Sequence, residues 1–209
     1  MRRFIIIGHR ATISPDFILN DLAGNAGRLD VLCRCLSSAF FLSHDLRRDV
    51  EVYLILQDQV VLRIVGSQLR RMNPDERNIA GLIRAALKKL EERERMSTPG
   101  IFISPGSLKT VVDQLTEQGT QLIVLHEKGD PLRDSALPDE AAFFLSDHLE
   151  FTAAEQHLLQ NIPRISLGPL PLHANHCITI VHNELDLRDI SEHKRSDTTI
   201  KEERSNGQR

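Results

Sequence analysis

The sequence has no tryptophan, one tyrosine and only 3 cysteines in 209 residues. Cys33, Cys35 and Cys177 cannot lock a chain of this length into a closed disulfide framework, which excludes the small disulfide-stapled class. No stretch approaches the ~20 apolar residues of a membrane-spanning helix. The apolar run Phe4-Ile5-Ile6-Ile7 stops at Gly8 and is too short for a signal-peptide core. A cytosolic location with free thiols is therefore expected. A net charge of −3 carries no overall signature of nucleic-acid binding. Three motifs are also missing: Gly-x-Gly-x-x-Gly, the phosphate-loop Gly-Lys-Ser/Thr and the Gly-x-Ser-x-Gly elbow. The usual dinucleotide, nucleoside triphosphate and serine-hydrolase readings are weak without them.

What is present is a soluble globular composition, 41% hydrophobic and 26% charged, long enough for one domain with a real core. Arg2 to Gly8 reads as a buried strand, and residues 9 to 26 as mostly loop. Gly27 to Leu42 carries apolar residues at helical spacing. Val50 to Leu56 and Val60 to Val65 are strands joined by a hairpin turn at Gln57-Asp58-Gln59. Asn73-Pro74-Asp75-Glu76 opens a helix, with Asn73 as its cap, expected to run to about Arg95. Short strands then alternate with helices: Ile101–Ile103, Leu108–Gln118, Leu122–Leu125, Ala141–Leu145, Ala153–Gln160 and Arg164–Leu167. A last helix starts near Ala174. This alternation indicates an α/β fold with a mostly parallel sheet flanked by helices. Residues 190–209 read as a polar, disordered tail after a single domain over 1–189.

Charge is unevenly distributed. Residues 1–95 hold 16 Lys and Arg against 12 Asp and Glu, whereas residues 96–185 hold 4 against 11. A basic first half suits a polyanion and an acidic second half suits a small cation, though solvated surface charge accounts for the same numbers.

The most distinctive segment is Gly168-Pro169-Leu170-Pro171-Leu172-His173, between the last strand and the last helix. Two prolines fix an extended loop and remove two backbone donors. Loops outside the carboxyl ends of strands are where open α/β sheets bind ligands. A plain turn needs neither two prolines nor the apolar Leu170 and Leu172. His173 and Cys177 stand at i, i+4, a spacing found in zinc sites. Cys177 lies on the apolar stripe, however, and the two cysteines of Cys33-Arg34-Cys35 point to different sides of a helix, so no metal is expected. Arg28 and Asp30 open the first helix. Asp30 there either stabilises the helix dipole or, with Arg28, grips a base or phosphate and accepts a ring proton.

Several of these segments together resemble a known family. Arg3-Phe4-Ile5-Ile6-Ile7-Gly8-His9-Arg10-Ala11, Ala26-Gly27-Arg28-Leu29-Asp30 through Cys35, Ser166-Leu167-Gly168-Pro169 through His176-Cys177, and Val181 through Asp186 are similar to the TrmY-type pseudouridine methyltransferases of the SPOUT superfamily. The resemblance covers roughly residues 1 to 187. It implies a C-terminal trefoil knot, an exception to the rule against knots. It also implies a homodimer, S-adenosylmethionine as cofactor, and methylation of nitrogen 1 of a pseudouridine in the tRNA T-loop. RNA rather than DNA would be the partner, with no membrane involved. Carried over by position, the cofactor site would comprise Leu132, Leu145, Ser146, Leu167, Gly168, Leu170, Leu172 and Cys177. Asp30 and Arg28 would be catalytic, and Arg10 an RNA contact. Ser146 stands where the family commonly has glycine, and its side chain would crowd the cofactor if it pointed inward. The alternatives are the same chemistry on another RNA nucleotide, a dimeric RNA-binding module without catalysis, and a metal-dependent hydrolase.

Overall fold

The computed structural model describes residues 1–138 and 140–206, with side chains described for 1–138 and 140–190. Its strands are β1 (Arg2–Gly8), β2 (Val50–Leu56), β3 (Val60–Val65), β4 (Arg95–Thr98), β5 (Ile101–Pro105), β6 (Gln121–Pro131), β7 (Ala141–Ser146) and β8 (Arg164–Ser166). Its helices are α1 (Leu29–Phe40), α2 (Glu76–Leu87), α3 (Leu108–Glu117), α4 (Ala153–Leu158) and α5 (Ala174–Asn206). All strands join one sheet in the order β4-β5-β3-β2-β1-β7-β6-β8.

β1 sits at the centre because its sequence allows little else. Every one of its residues is buried, and a strand covered on both faces reads as a continuous apolar run. It pairs in parallel with β2 and β7, and β7, β6 and β8 continue the parallel half. β3, β5 and β4 extend the sheet antiparallel beyond β2. The β2–β3 turn forms as expected: Gln57 and Asp58 take positive φ of 50° and 55°, and Gln59 N–H donates to the Leu56 carbonyl at 3.0 Å. That left-handed pair matches the twist of the two strands.

The layers follow from strand alternation. Phe4, Ile6, Val52 and Leu54 point to one face, where α1, α2 and α5 pack. Ile5, Ile7, Tyr53, Ile55 and Phe144 point to the other, covered by α3 and the end of α4. The result is a helix–sheet–helix sandwich, the arrangement expected for a largely parallel sheet.

Three expectations need correction. α2 ends at Leu87, not near Arg95, and residues 95–98 form edge strand β4. Beyond Leu90 the run Glu91 to Arg95 offers no apolar side chain to bury, so nothing holds further helix against the sheet. β4 was hard to see because only Ser97 on it is buried. The α2 cap is Asp75 rather than Asn73: its carboxylate accepts from the Asn78 N–H at 2.7 Å. β6 is longer than the four apolar residues suggest. It pairs with β8 at Leu125, breaks register, and pairs again at Asp130. The tail assigned to 190–209 falls, apart from Ile190, on residues whose side chains lie outside those described.

Candidate active site

The carboxyl ends of β6, β7 and β8, with the loop from Leu167 to His173, enclose a cavity of about 270 Å³. This is near the lower end of small-molecule sites, ~300–1,000 Å³, and lies where open parallel sheets bind ligands. Seven of the eight residues expected to hold a cofactor line it: Leu145, Ser146, Leu167, Gly168, Leu170, Leu172 and Cys177. Leu132 is elsewhere. It is 4% exposed in the core under α5, and its carbonyl accepts from Arg188. Glu127, Asp147 and Glu150 give the cavity an acidic rim.

Gly168 lies in a conformation that side chains rarely adopt, φ +155°, and a Cβ there would project into open space. Its N–H donates to Ser166 Oγ at 3.2 Å, while Ser166 Oγ–H donates back to the Gly168 carbonyl at 2.9 Å. The turn is thus fixed by Ser166 and by the two prolines that follow. Cys177 is half-buried, its thiol pushed up to about 11 by burial. It is a neutral wall residue, not a thiolate. Ser146 lines the cavity, and its hydroxyl donates along the loop to the Leu149 carbonyl.

The parallel register of β1 and β7 sets Ile7 beside Ser146. Gly8, the last residue of β1, comes next, and just past it His9 reaches Asp147, the first residue after β7. The Asp147 carboxylate is almost fully buried and accepts from the His9 N–H at 3.0 Å and the Leu149 N–H at 2.9 Å. The His9 ring donates from Nδ1 to Asp147 at 2.9 Å and from Nε2 to Glu155 at 3.0 Å. Hydrogen bonding to Asp147 outweighs desolvation and raises the His9 pKa to about 9. Sequence reading gave His9 no role. The available signal was its place as the first polar residue past the central strand.

Arg28 and Asp30 occupy a separate place. Gly27 makes their turn possible: it has φ +63°, and a Cβ there would lie 1.8 Å from the Arg10 carbonyl oxygen. Arg28 itself is left-handed, φ 66°. Its guanidinium donates to both Asp30 oxygens, at 2.9 and 3.1 Å. Arg34, one turn on, donates to Asp30 at 2.8 Å and to Glu76 at 3.1 Å. Burial alone would raise the Asp30 pKa, but hydrogen bonds from Arg28 and then Arg34 outweigh it and hold the carboxyl below its usual range. Asp30 and Arg34 line a second cavity with Asp21, Glu76 and Arg77, sharing no residue with the first. The two are electrostatic neighbours all the same. The Arg28 pKa is raised chiefly by its bond to Asp30, and the charge of Asp147 adds to the effect.

Among the described residues no group of three His, Cys, Asp or Glu converges as a metal-holding set. His173 and His176 pack ring to ring, centroids 5.6 Å apart, and the Cys177 thiol faces the Leu172 carbonyl at 3.9 Å. Among the described residues no helix is long and apolar enough to cross a membrane.

The sequence matches the family described as "Putative SAM-dependent RNA methyltransferase" over residues 1–190. The chain belongs to this family. Among relatives of this methyltransferase family, the tRNA (pseudouridine(54)-N(1))-methyltransferase of Haloferax volcanii is 50% identical over 192 residues, covering 89% of this chain and 96% of its own. The enzyme of the same name from Methanococcoides burtonii is 47% identical over 194 residues, with the same coverage. The structure of Archaeoglobus fulgidus Nep1 bound to S-adenosylhomocysteine superposes with a TM-score of 0.64 at 16% identity, covering 88% of this chain and 96% of that one, which establishes a common fold. The family resemblance in the sequence motifs is thereby borne out, and the protein is an S-adenosylmethionine-dependent RNA methyltransferase.

Proposed function

We propose that this methyltransferase transfers a methyl group to nitrogen 1 of pseudouridine 54 in the tRNA T-loop, in the cytoplasm. The observation that carries the reading is near-complete coverage, at 47–50% identity, of relatives bearing that activity in their names. The cavity at the ends of β6–β8 fits the cofactor. Its leucines offer apolar surface for a base, the Leu167 backbone offers polar groups to an adenine edge, and its acidic rim favours a sulfonium cation. S-adenosylmethionine, when bound, supplies an electrophilic methyl on that sulfonium.

The chain's own residues would do the rest. Nitrogen 1 of pseudouridine carries a hydrogen that must leave as the nitrogen attacks. Asp30, ionised and aimed by Arg28 and Arg34, accepts or orients that hydrogen. Its lowered pKa makes orientation the larger share of the work, since a base far below the working pH has little proton affinity. Arg28, between Asp30 and the Asp147 field, holds a base carbonyl or phosphate.

Two features of the family belong to the same reading. β8 is the edge strand, yet the chain leaving it returns across the sheet as α5, whose His182 packs on Phe4 of β1 and contacts the Ala39 carbonyl of α1. Such a return supports a trefoil knot formed by the 167–173 loop and its neighbours. Leu170 is 71% exposed and Leu172 42% exposed on that loop, and exposed leucines beside a binding site support burial against a second copy. In that homodimer, one copy's Asp30 cavity would face the partner's cofactor cavity.

The test is incubation with methyl-labelled S-adenosylmethionine and tRNA transcripts carrying either pseudouridine or uridine at position 54. Label confined to the pseudouridine transcript is expected. Equal labelling of both, or of neither, would refute the assignment.

A further inference from the structure

We propose that the outward face of α2 is the track for the tRNA sugar–phosphate backbone leading into the Asp30 cavity. The inference rests on the RNA-methyltransferase reading and adds the surface that holds the RNA.

The helix is amphipathic. Ile79, Ala80, Ile83, Ala86 and Leu87 are buried against the sheet. On the opposite side Arg77, Arg84 and, just past the helix end, Lys88 recur at i, i+7 and i+11 along one stripe. At 1.5 Å per residue the stripe is ~16 Å long. Its first residue, Arg77, lines the cavity that contains Asp30 and Arg34. The stripe therefore begins at the proposed base-binding pocket and runs away from it.

Like Arg10, Arg70, Arg71, Arg93, Lys128 and Arg164, these charges have no ion-paired carboxylate among the described residues; what sets them apart is their regular row on one helix face that begins at the Asp30 cavity. Arg2, Arg3, Arg28, Arg34, Arg47 and Arg63 are each spent on carboxylates within the fold. Among the described residues no carboxylate lies within ion-pair distance of Arg77, Arg84 or Lys88. The nearby acids are themselves engaged: Glu76 by Arg34, Glu91 by Arg95 and Glu94 by Arg63. Glu92 is the one acid past the helix without such a partner. A row of unneutralised cations on a rigid helix matches a row of phosphates, and releasing the counterions of both drives binding.

Between Arg77 and Arg84 the stripe carries Gly81, half-buried in the middle of a helix, where a Cβ would meet nothing within 4 Å. Glycine weakens a helix interior by ~1 kcal/mol relative to alanine. The packing here does not require it, so its use is access: it leaves a bare backbone patch between two arginines where a ribose or phosphate can lie close.

The track is tested by measuring tRNA affinity against KCl concentration for the full chain with S-adenosylhomocysteine present. The variant combines Arg77→Gln, Arg84→Gln and Lys88→Gln, all good helix formers at solvent-facing sites. Expected is an affinity loss of at least tenfold at moderate salt, with the slope of log affinity against log salt shallower by about one per charge removed. S-adenosylhomocysteine affinity, by calorimetry, should be unchanged. Lys109→Gln, which removes an ion-paired charge on α3 across the sheet, should leave both quantities as they were. An unchanged slope and affinity in the triple variant overturns the track. An equal loss from Lys109→Gln also overturns it, since the effect would then be net charge alone. Methyl transfer reads the other question: wild type that binds with the expected slope yet labels no transcript would refute the assigned reaction while the track stands.

Discussion

His9 and Asp147, 138 residues apart in sequence, are joined twice, by the His9 backbone N–H at 3.0 Å and by its Nδ1 at 2.9 Å. The pair ties the end of the central strand to the strand end that borders the cavity at the carboxyl ends of β6, β7 and β8. Glu155, which also closes the capping box of α4, takes the other ring nitrogen. One protonated ring thus holds β1, β7 and α4 together at the carboxyl edge of the sheet.

A pH dependence of stability follows. The folded-state pKa of His9 is raised to about 9, above the ~6.5 of an unfolded histidine. Its contribution is fully present below pH 6.5 and is lost as pH rises through about 9. His9→Gln should destabilise the protein by on the order of 2 kcal/mol near pH 6. The gap to wild type should close progressively by pH 9.5. Urea denaturation at three pH values checks this; a gap that stayed constant would mean the ring acts only by packing.

Asp30→Asn should preserve S-adenosylmethionine affinity and lower single-turnover methyl transfer by ~10²–10³-fold, the usual scale for losing a positioned proton acceptor. The amide keeps the shape but gives up the charge that Arg28 and Arg34 now grip. Full turnover in a variant that binds cofactor normally would remove Asp30 from the chemistry.

Gly168→Leu should weaken cofactor binding by more than tenfold. The added side chain meets no protein atom at its Cβ and so extends into the space the ligand needs. It also imposes a backbone conformation poorly tolerated by residues other than glycine. Calorimetry reads the affinity directly, and an unchanged value would move the site away from this loop.

Ser146→Gly should change cofactor affinity by less than about threefold. The hydroxyl is already turned to the Leu149 carbonyl, and removing it forfeits one hydrogen bond worth ~0.5–1.5 kcal/mol to the loop. A large gain in affinity would mean that the serine points inward in solution.

Elements with a strong local pattern were legible. The continuous apolar runs of β1, β2 and β3 give their limits without reference to anything else, because double-sided burial leaves no polar position to confuse the reading. The amphipathic stripes of α1 and α3 are equally plain. β4 was not legible, since an edge strand with one buried residue has no periodic signal. The second half of β6 was hidden for a related reason. Its far end is held by pairing of Asp130 and Pro131 with β8 after a break in register, which the local sequence does not encode.

The candidate site divides along the same line. The Gly-Pro-Leu-Pro loop was readable because proline fixes φ and removes a donor wherever it occurs, whereas Cys177 came in as a cofactor residue only with the family resemblance. Leu132 was carried over by position and does not line the cavity. The Asp30–Arg34 contact was within reach as an i, i+4 pair, whereas the Arg34–Glu76 contact spans 42 residues and was not.

By itself the sequence determined the alternation of strands and helices, the central buried strand, the stiff loop after Gly168 and the family, because each is written in local spacing or in contiguous motifs. The tertiary structure alone decided which residues meet. Parallel register brought His9 to Asp147, packing of α1 against α2 joined Arg34 to Glu76 and put Arg77 and Asp30 on one cavity, and the return of α5 across the sheet set His182 against Phe4. Such contacts depend on how distant segments are registered and crossed, and no local pattern of side chains carries that information.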